Sequence, residues 1–177
     1  VSLPTTKYAL AAYYIIASTE ASTNLSKFCG LRYGLHEKLE GNFNKYFTKV
    51  RTAGFGQEAK RRIILGTFAR MSGYREQYYM KAMRVRTLII NDFKKTFGAF
   101  DVIAAPTMPV TAPKFSEIEK LSPLENYQMD VLTVPVNLAG MPHISVPCGN
   151  FTGLHLMGDH LDEQRLLSIA GFYEMIR

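Results

Sequence analysis

The chain has 177 residues, 47% hydrophobic and 20% charged, enough for one domain burying roughly 70% of its unfolded surface. No run of about 18 apolar residues occurs, which excludes a membrane-spanning helix. The net charge of +6 tolerates an acidic partner such as RNA without demanding one, and two cysteines without CxxC spacing argue against a zinc site or a disulfide scaffold.

The opening VSLPTTKYAL lacks a basic n-region and a continuous apolar h-region, so it does not read as a signal peptide. It also lacks an initiator Met and reads as the end of a strand, which points to a fragment of something longer. KYALAAYYIIASTEASTNLSKF then reads as a buried helix. Ser18, Thr19, Glu20, Ser22, Thr23 and Asn24 are unusual there, because buried polar groups need partners; a structural role is favoured for them. Gly30 and Gly34 break the chain, and LHEKLEGNFNKYFTKVRTAGFG reads as loop with short helical pieces.

EAKRRIILGTFARMS reads as a second helix, with Glu58 in the first turn where it suits the helix dipole. From Arg75 to Phe97, Tyr78, Ala82, Val85, Ile89 and Phe93 recur every three or four residues and make one apolar stripe. Lys81, Arg84, Arg86, Lys94 and Lys95 lie opposite it, as a solvated face or as contacts to RNA phosphate.

DVIAAPT reads as a short strand buried on both faces. A proline-rich loop follows, and PLENYQMDVLTVPVNLAG reads as a helix interrupted at Pro135. Gly140 permits a tight turn, or close backbone approach, before the central strand HISVPC. GLHLMG is a third strand and DEQRLLSIAGFYEMI a closing amphipathic helix. The alternation points to α/β architecture, whose strand ends commonly build ligand sites.

Several chemistries fail on spacing. GFGQEAKRR is not a P-loop, because no G-K-[ST] follows. His155 and His160 are five apart with no third ligand, which makes a zinc site untenable. A Ser145–His143 pair lacks the G-x-S-x-G elbow that would expose the serine. Cys29 and Cys148 read as free thiols of a reducing cytosol.

PVNLAGMPHISVPCG is similar to the C-terminal signature of the amidase signature family. ASTEASTNLSKFCGLRYG, the long block from RTAGFGQEAKRR to RTLI, and GLHLMGDHLDEQRLL resemble the amidase component of its tRNA-dependent amidotransferase branch. The likeness runs from Pro4 to about Glu174, as the C-terminal part of one domain. It implies a mixed, largely parallel sheet flanked by helices on both faces. It also implies hydrolysis of glutamine by a Ser–cis-Ser–Lys triad, with ammonia passed on to convert Glu-tRNA(Gln), or Asp-tRNA(Asn), to its amide.

The same likeness implies a cytoplasmic heterotrimer with subunits B and C, no cofactor on this chain, and ATP and Mg at the partner subunit. No Gly/Ser-rich stretch carrying the two serines occurs here, and no upstream Lys segment. All three triad members are expected before Val1, leaving this chain inactive alone. The resemblance carries over two substrate-binding residues: Arg62 of KRRI for the glutamine carboxylate and Asp130 before LT-PVN for its ammonium. An Arg fork suits a carboxylate. GNFTGLHL is shorter than the family pattern, so residues near Phe151–Gly153 are read as a deletion or a break. The rival readings are a basic RNA- or protein-binding module and an amidase of small amides.

Overall fold

A computed structural model describes residues 1–176. They gather into two compact units, Tyr14–Ala82 and Val1–Tyr13 with the chain from Met83 onward.

The Tyr14–Ala82 unit is helical. Helix α1, Ala9–Asn24, enters it and buries Ser18, Thr19 and Ser22. Two of these hydroxyls are satisfied within the helix: Thr19 Oγ1 donates to the Ile15 carbonyl at 2.6 Å and Ser22 Oγ to the Thr19 carbonyl at 2.7 Å. Glu20, expected with that buried set, is exposed. The segment read as loop holds a full helix, α2, Phe43–Gly54. The Asn42 side chain caps it by accepting the Lys45 N–H at 2.9 Å, and Tyr46 and Val50, one turn apart, bury its inner face. Tyr46 donates to the Gly30 carbonyl at 2.7 Å. Gly30 has φ +87°, and any Cβ there would lie 2.9 Å from Tyr46 and Val50.

Helix α3, Gln57–Arg70, forms where expected, with Glu58 in its first turn. It crosses α1 at close range: a Cβ on Gly66 would lie 1.9 Å from the Ser18 carbonyl oxygen. A π-turn, Glu76–Met80, is closed by the Met80 N–H on the Arg75 carbonyl at 2.9 Å. It precedes α4, Lys81–Phe97. The expected stripe holds at Ala82, Ile89 and Phe93, all buried, whereas Val85 is half-buried and Tyr78, in the π-turn before the helix, is exposed.

In the other unit the three expected strands form: β1, Ile103–Pro106; β2, His143–Pro147; β3, Gly153–Met157. Their order is β1-β3-β2 and both pairings are antiparallel. The expected largely parallel pairing is not what these strands make, because β2 turns straight back into β3 and β1 adds on the other side of β3. The central strand is therefore β3, not HISVPC. Edge position also corrects the expectation of strands buried on both faces: Ala104, Pro106, Ser145 and Pro147 are exposed, while His155, Leu156 and Met157 are buried.

Short helices α5, Phe115–Ile118, and α6, Pro123–Gln128, follow β1, and Ser122 caps α6 in a reciprocal box with Glu125. The chain then turns and restarts as α7, Val134–Ala139, with Pro135 in the first turn, where a missing N–H costs nothing. Gly140 ends α7 at φ +73°. Arg86, expected on the solvated face of α4, is half-buried, and its Nε donates to the Leu138 carbonyl at 2.8 Å. Helix α8, Glu163–Ile176, lies on one sheet face, where Leu166 and Ala170 meet Val146 and Leu156.

As the chain stands, β2 and β3 are joined by a tight turn. Asn150 and Phe151 both have positive φ, 45° and 59°, and the Thr152 N–H donates to the Gly149 carbonyl at 2.8 Å. Such a two-residue hairpin turn favours Asn then Gly. Phe151 is fully exposed, so its ring contributes no burial to offset the left-handed backbone. Phe151→Gly is expected to raise stability by about 1 kcal/mol, read as a higher urea midpoint; a lower midpoint would refute this account of the turn.

Candidate functional site

The Arg62 side chain leaves α3 about one turn from its start. Its Nε donates to Glu58 Oε1 at 2.8 Å, and Arg61 engages the other oxygen of the same carboxylate. The guanidinium carbon lies 5.7 Å from the ring centre of Tyr14, within cation–π range. Arg62 is therefore oriented from two sides, by an acid one turn earlier and by a ring on α1. The Arg62 side chain is 35% exposed. Nothing in the sequence signals Tyr14, because no local spacing ties it to a residue 48 positions later.

Asp130 sits in the other unit, half-buried in the turn between α6 and α7. Its carbonyl accepts the N–H groups of Thr133 and Val134, at 3.1 and 2.9 Å, and the Thr133 hydroxyl at 3.2 Å. This fixes the backbone of the residue at the restart of the interrupted helix. Arg62 and Asp130 thus occupy defined positions, each within its own unit.

A second polar group lines the sheet face away from α8. Ser145 lies across from His155 in the β2–β3 register. Gly153 keeps the surface low: a Cβ there would lie 2.3 Å from Ser145 Oγ and 2.6 Å from Thr107 Oγ1. Without it, the two hydroxyls meet at 2.6 Å. Diagonally along the hairpin, His155 Nε2 and His143 Nδ1 share a hydrogen at 2.9 Å. His155 is 1% exposed and its Nδ1 is buried without a hydrogen-bond partner.

Burial, reinforced by the neighbouring imidazole, pushes the His155 pKa down to about 4, and burial also lowers that of His143. Both rings are neutral at pH 7, and one must present a bare nitrogen to the other. Ser145 engages Thr107 and not an imidazole, so a Ser145–His143 pair is not assembled. His160, five residues from His155, instead contacts the Ala139 carbonyl at 3.0 Å through Nε2. Among the described residues no three His, Cys, Asp or Glu gather as a metal-binding group, and no helix is long and apolar enough to cross a membrane.

Comparison with known proteins gives this geometry a family. The Amidase family model matches residues 1–167. The chain is 51% identical over 178 aligned positions to the A subunit of glutamyl-tRNA(Gln) amidotransferase from Staphylococcus epidermidis, covering 98% of this chain and 36% of that protein. The same subunit of Methanococcoides burtonii is also 51% identical, with 98% and 37% covered. The chain therefore spans little more than a third of the curated relatives' length. The crystal structure of the corresponding Thermotoga maritima subunit superposes with a TM-score of 0.63 at 34% identity, over 96% of this chain and 32% of that one. A solved amidase at 20% identity shares the fold, with a TM-score of 0.71 over 99% of this chain and 36% of that one. With its strands, its helices and most of its length matched, the chain belongs to the amidase family and has its α/β fold.

Proposed function

We propose that this chain is the C-terminal portion of the amidase component of a tRNA-dependent amidotransferase, which hydrolyses glutamine to supply ammonia for converting Glu-tRNA(Gln) to Gln-tRNA(Gln), or Asp-tRNA(Asn) to Asn-tRNA(Asn). The observation that carries this reading is identity of one residue in two, spread over 98% of the chain, to proteins of that name. In this reading the Ser–cis-Ser–Lys triad comes from the rest of the longer protein. The larger, mostly parallel sheet of the intact domain is completed there as well. Subunits B and C assemble with it in the cytoplasm as a heterotrimer, with ATP and Mg at the partner subunit. This portion by itself has no glutaminase activity.

Its own contribution is to orient glutamine. A guanidinium and a carboxylate hold the zwitterion by its two charged ends, through charge-assisted hydrogen bonds. The side-chain amide is then left pointing to the nucleophile, and positioning of this kind lowers the barrier without any new chemistry. Arg62 takes the α-carboxylate and Asp130 the α-ammonium. The Glu58 contact supports the Arg62 role, because it sets the plane of the fork before substrate arrives.

The test uses the intact complex. Arg62→Ala is expected to raise KM for glutamine about tenfold or more, the worth of a hydrogen bond to a charged group, with kcat reduced far less. Asp130→Asn is expected to act in the same direction. Steady-state ammonia release reads both, and an unchanged KM in the Arg62 variant removes that residue from the site.

A further inference from the structure

An arginine side chain has many rotamers, so a site built on Arg62 binds best when the guanidinium is held still before substrate arrives. Freezing such a side chain only on binding weakens affinity by about two- to tenfold. Helix α3 by itself supplies Glu58, which takes the Arg62 Nε–H at 2.8 Å but is shared with Arg61. A carboxylate divided between two guanidiniums, with its side chain 43% exposed, is a weak anchor in water.

A second anchor comes from α1, and the helix crossing explains how it arrives. Tyr14 and Ser18 are four residues apart on α1, as Arg62 and Gly66 are on α3, so each pair shares one face of its helix. At Ser18 and Gly66 the two backbones touch, since a Cβ on Gly66 would lie 1.9 Å from the Ser18 carbonyl oxygen. One turn earlier on both helices stand Tyr14 and Arg62, with the guanidinium carbon 5.7 Å from the ring centre. Two contacts one turn apart on both helices mean that α1 and α3 run the same way past each other. A bulkier residue at Gly66 would hold the helices apart and carry the ring out of cation–π range, which ends near 6 Å. Tyr14 and Arg62 are both half-buried, so water screens their attraction less than at an open surface.

We infer that Tyr14 is a positioning residue for glutamine: its ring holds the Arg62 guanidinium in the attitude that meets the substrate carboxylate. The inference rests on the proposed role of Arg62 and extends the site to a residue 48 positions away on another helix, which that role does not itself require. Tyr14 acts on substrate only through Arg62. The carboxylate it helps to hold takes no part in the chemistry and is gripped alike in ground and transition states. Loss of the ring therefore raises KM and spares kcat. An aliphatic side chain of similar size fills the space without the electron-rich face, whereas phenylalanine keeps that face.

The experiment measures ammonia release from glutamine by the intact complex. Tyr14→Leu is expected to raise KM about three- to tenfold with kcat within about twofold of the parent. Tyr14→Phe is expected to keep KM within about twofold of the parent. In an Arg62→Ala background Tyr14→Leu should change KM no further, a silence that general loosening of the fold would not produce. Should the leucine variant fail to assemble, phenylalanine and its mono-, di- and trifluoro forms at position 14 decide the matter. They keep the ring's shape while draining its face, and KM should climb with each fluorine. A KM unchanged in Tyr14→Leu, raised as much in Tyr14→Phe as in Tyr14→Leu, or flat across the fluorinated series overturns the inference. If Arg62→Ala raises KM while Tyr14→Leu does not, this inference alone falls; if Arg62→Ala leaves KM unchanged, the proposed role of Arg62 falls with it.

Discussion

Gly66→Ala is expected to destabilise the intact protein by about 3 kcal/mol, the upper range for forcing an extra carbon into a packed interior. The new Cβ would lie 1.9 Å from the Ser18 carbonyl oxygen, 2.4 Å from its carbonyl carbon and 2.8 Å from the Thr19 nitrogen. All three are backbone atoms of α1, so no rotamer change relieves the clash and one helix must move away from the other. That movement would open contacts made by Ala69, buried on α3, and by Ser18, Thr19 and Ser22 on α1. The sign is the informative part. Glycine to alanine inside a helix ordinarily stabilises by about 0.5–1 kcal/mol. Gly171 on α8 meets nothing within 4 Å, so Gly171→Ala should show that ordinary gain. Urea denaturation of both variants checks the pair, and a Gly66→Ala protein as stable as the parent would mean that α1 and α3 do not cross here.

Acid is expected to weaken the protein through His155. An unfolded histidine titrates near 6.5, whereas burial and the adjacent His143 hold this one down to about 4. Between those values the unfolded chain binds a proton that the folded chain refuses, so stability rises with pH across the window. The contribution is complete above pH 6.5 and is lost as pH falls towards 4, at up to about 3 kcal/mol for a gap of this size. His143, whose pKa burial also lowers, adds slope in the same direction. His155→Gln keeps a polar partner for His143 Nδ1 while removing the titration. Its stability should vary less with pH between 6.5 and 4, by about the same 3 kcal/mol. Equal slopes in parent and variant would show that His155 is protonated as readily folded as unfolded.

Helix and strand positions are readable because they depend on neighbours a few residues away. The stripe at Ala82, Ile89 and Phe93, the restart at Pro135 and the stop at Gly140 are each set by local pattern or by a residue with few conformations. Helix α2 escapes such a reading although its Asn42 cap and its Tyr46 and Val50 face are present in the sequence, because many charged residues surround them and Gly41 suggests a loop. Likewise Glu20 reads with the buried polar residues on α1, whereas the helix turn places Ser18, Thr19 and Ser22 inward and Glu20 outward.

Most of the elements and the amidase resemblance are legible in the order of residues, and through that resemblance so is the interest of Arg62 and Asp130. The folded chain was needed to learn that the strands pair antiparallel, that His143 and His155 share a hydrogen, that Gly66 is where two helices touch, and that Tyr14 lies by Arg62. The division is physical. Caps, turns and periodicity act within a turn or two of chain, while strand direction, imidazole pairing and helix crossing depend on groups distant in sequence, such as the two imidazoles 12 residues apart. Their energies come from burial and contact, which a local pattern does not encode.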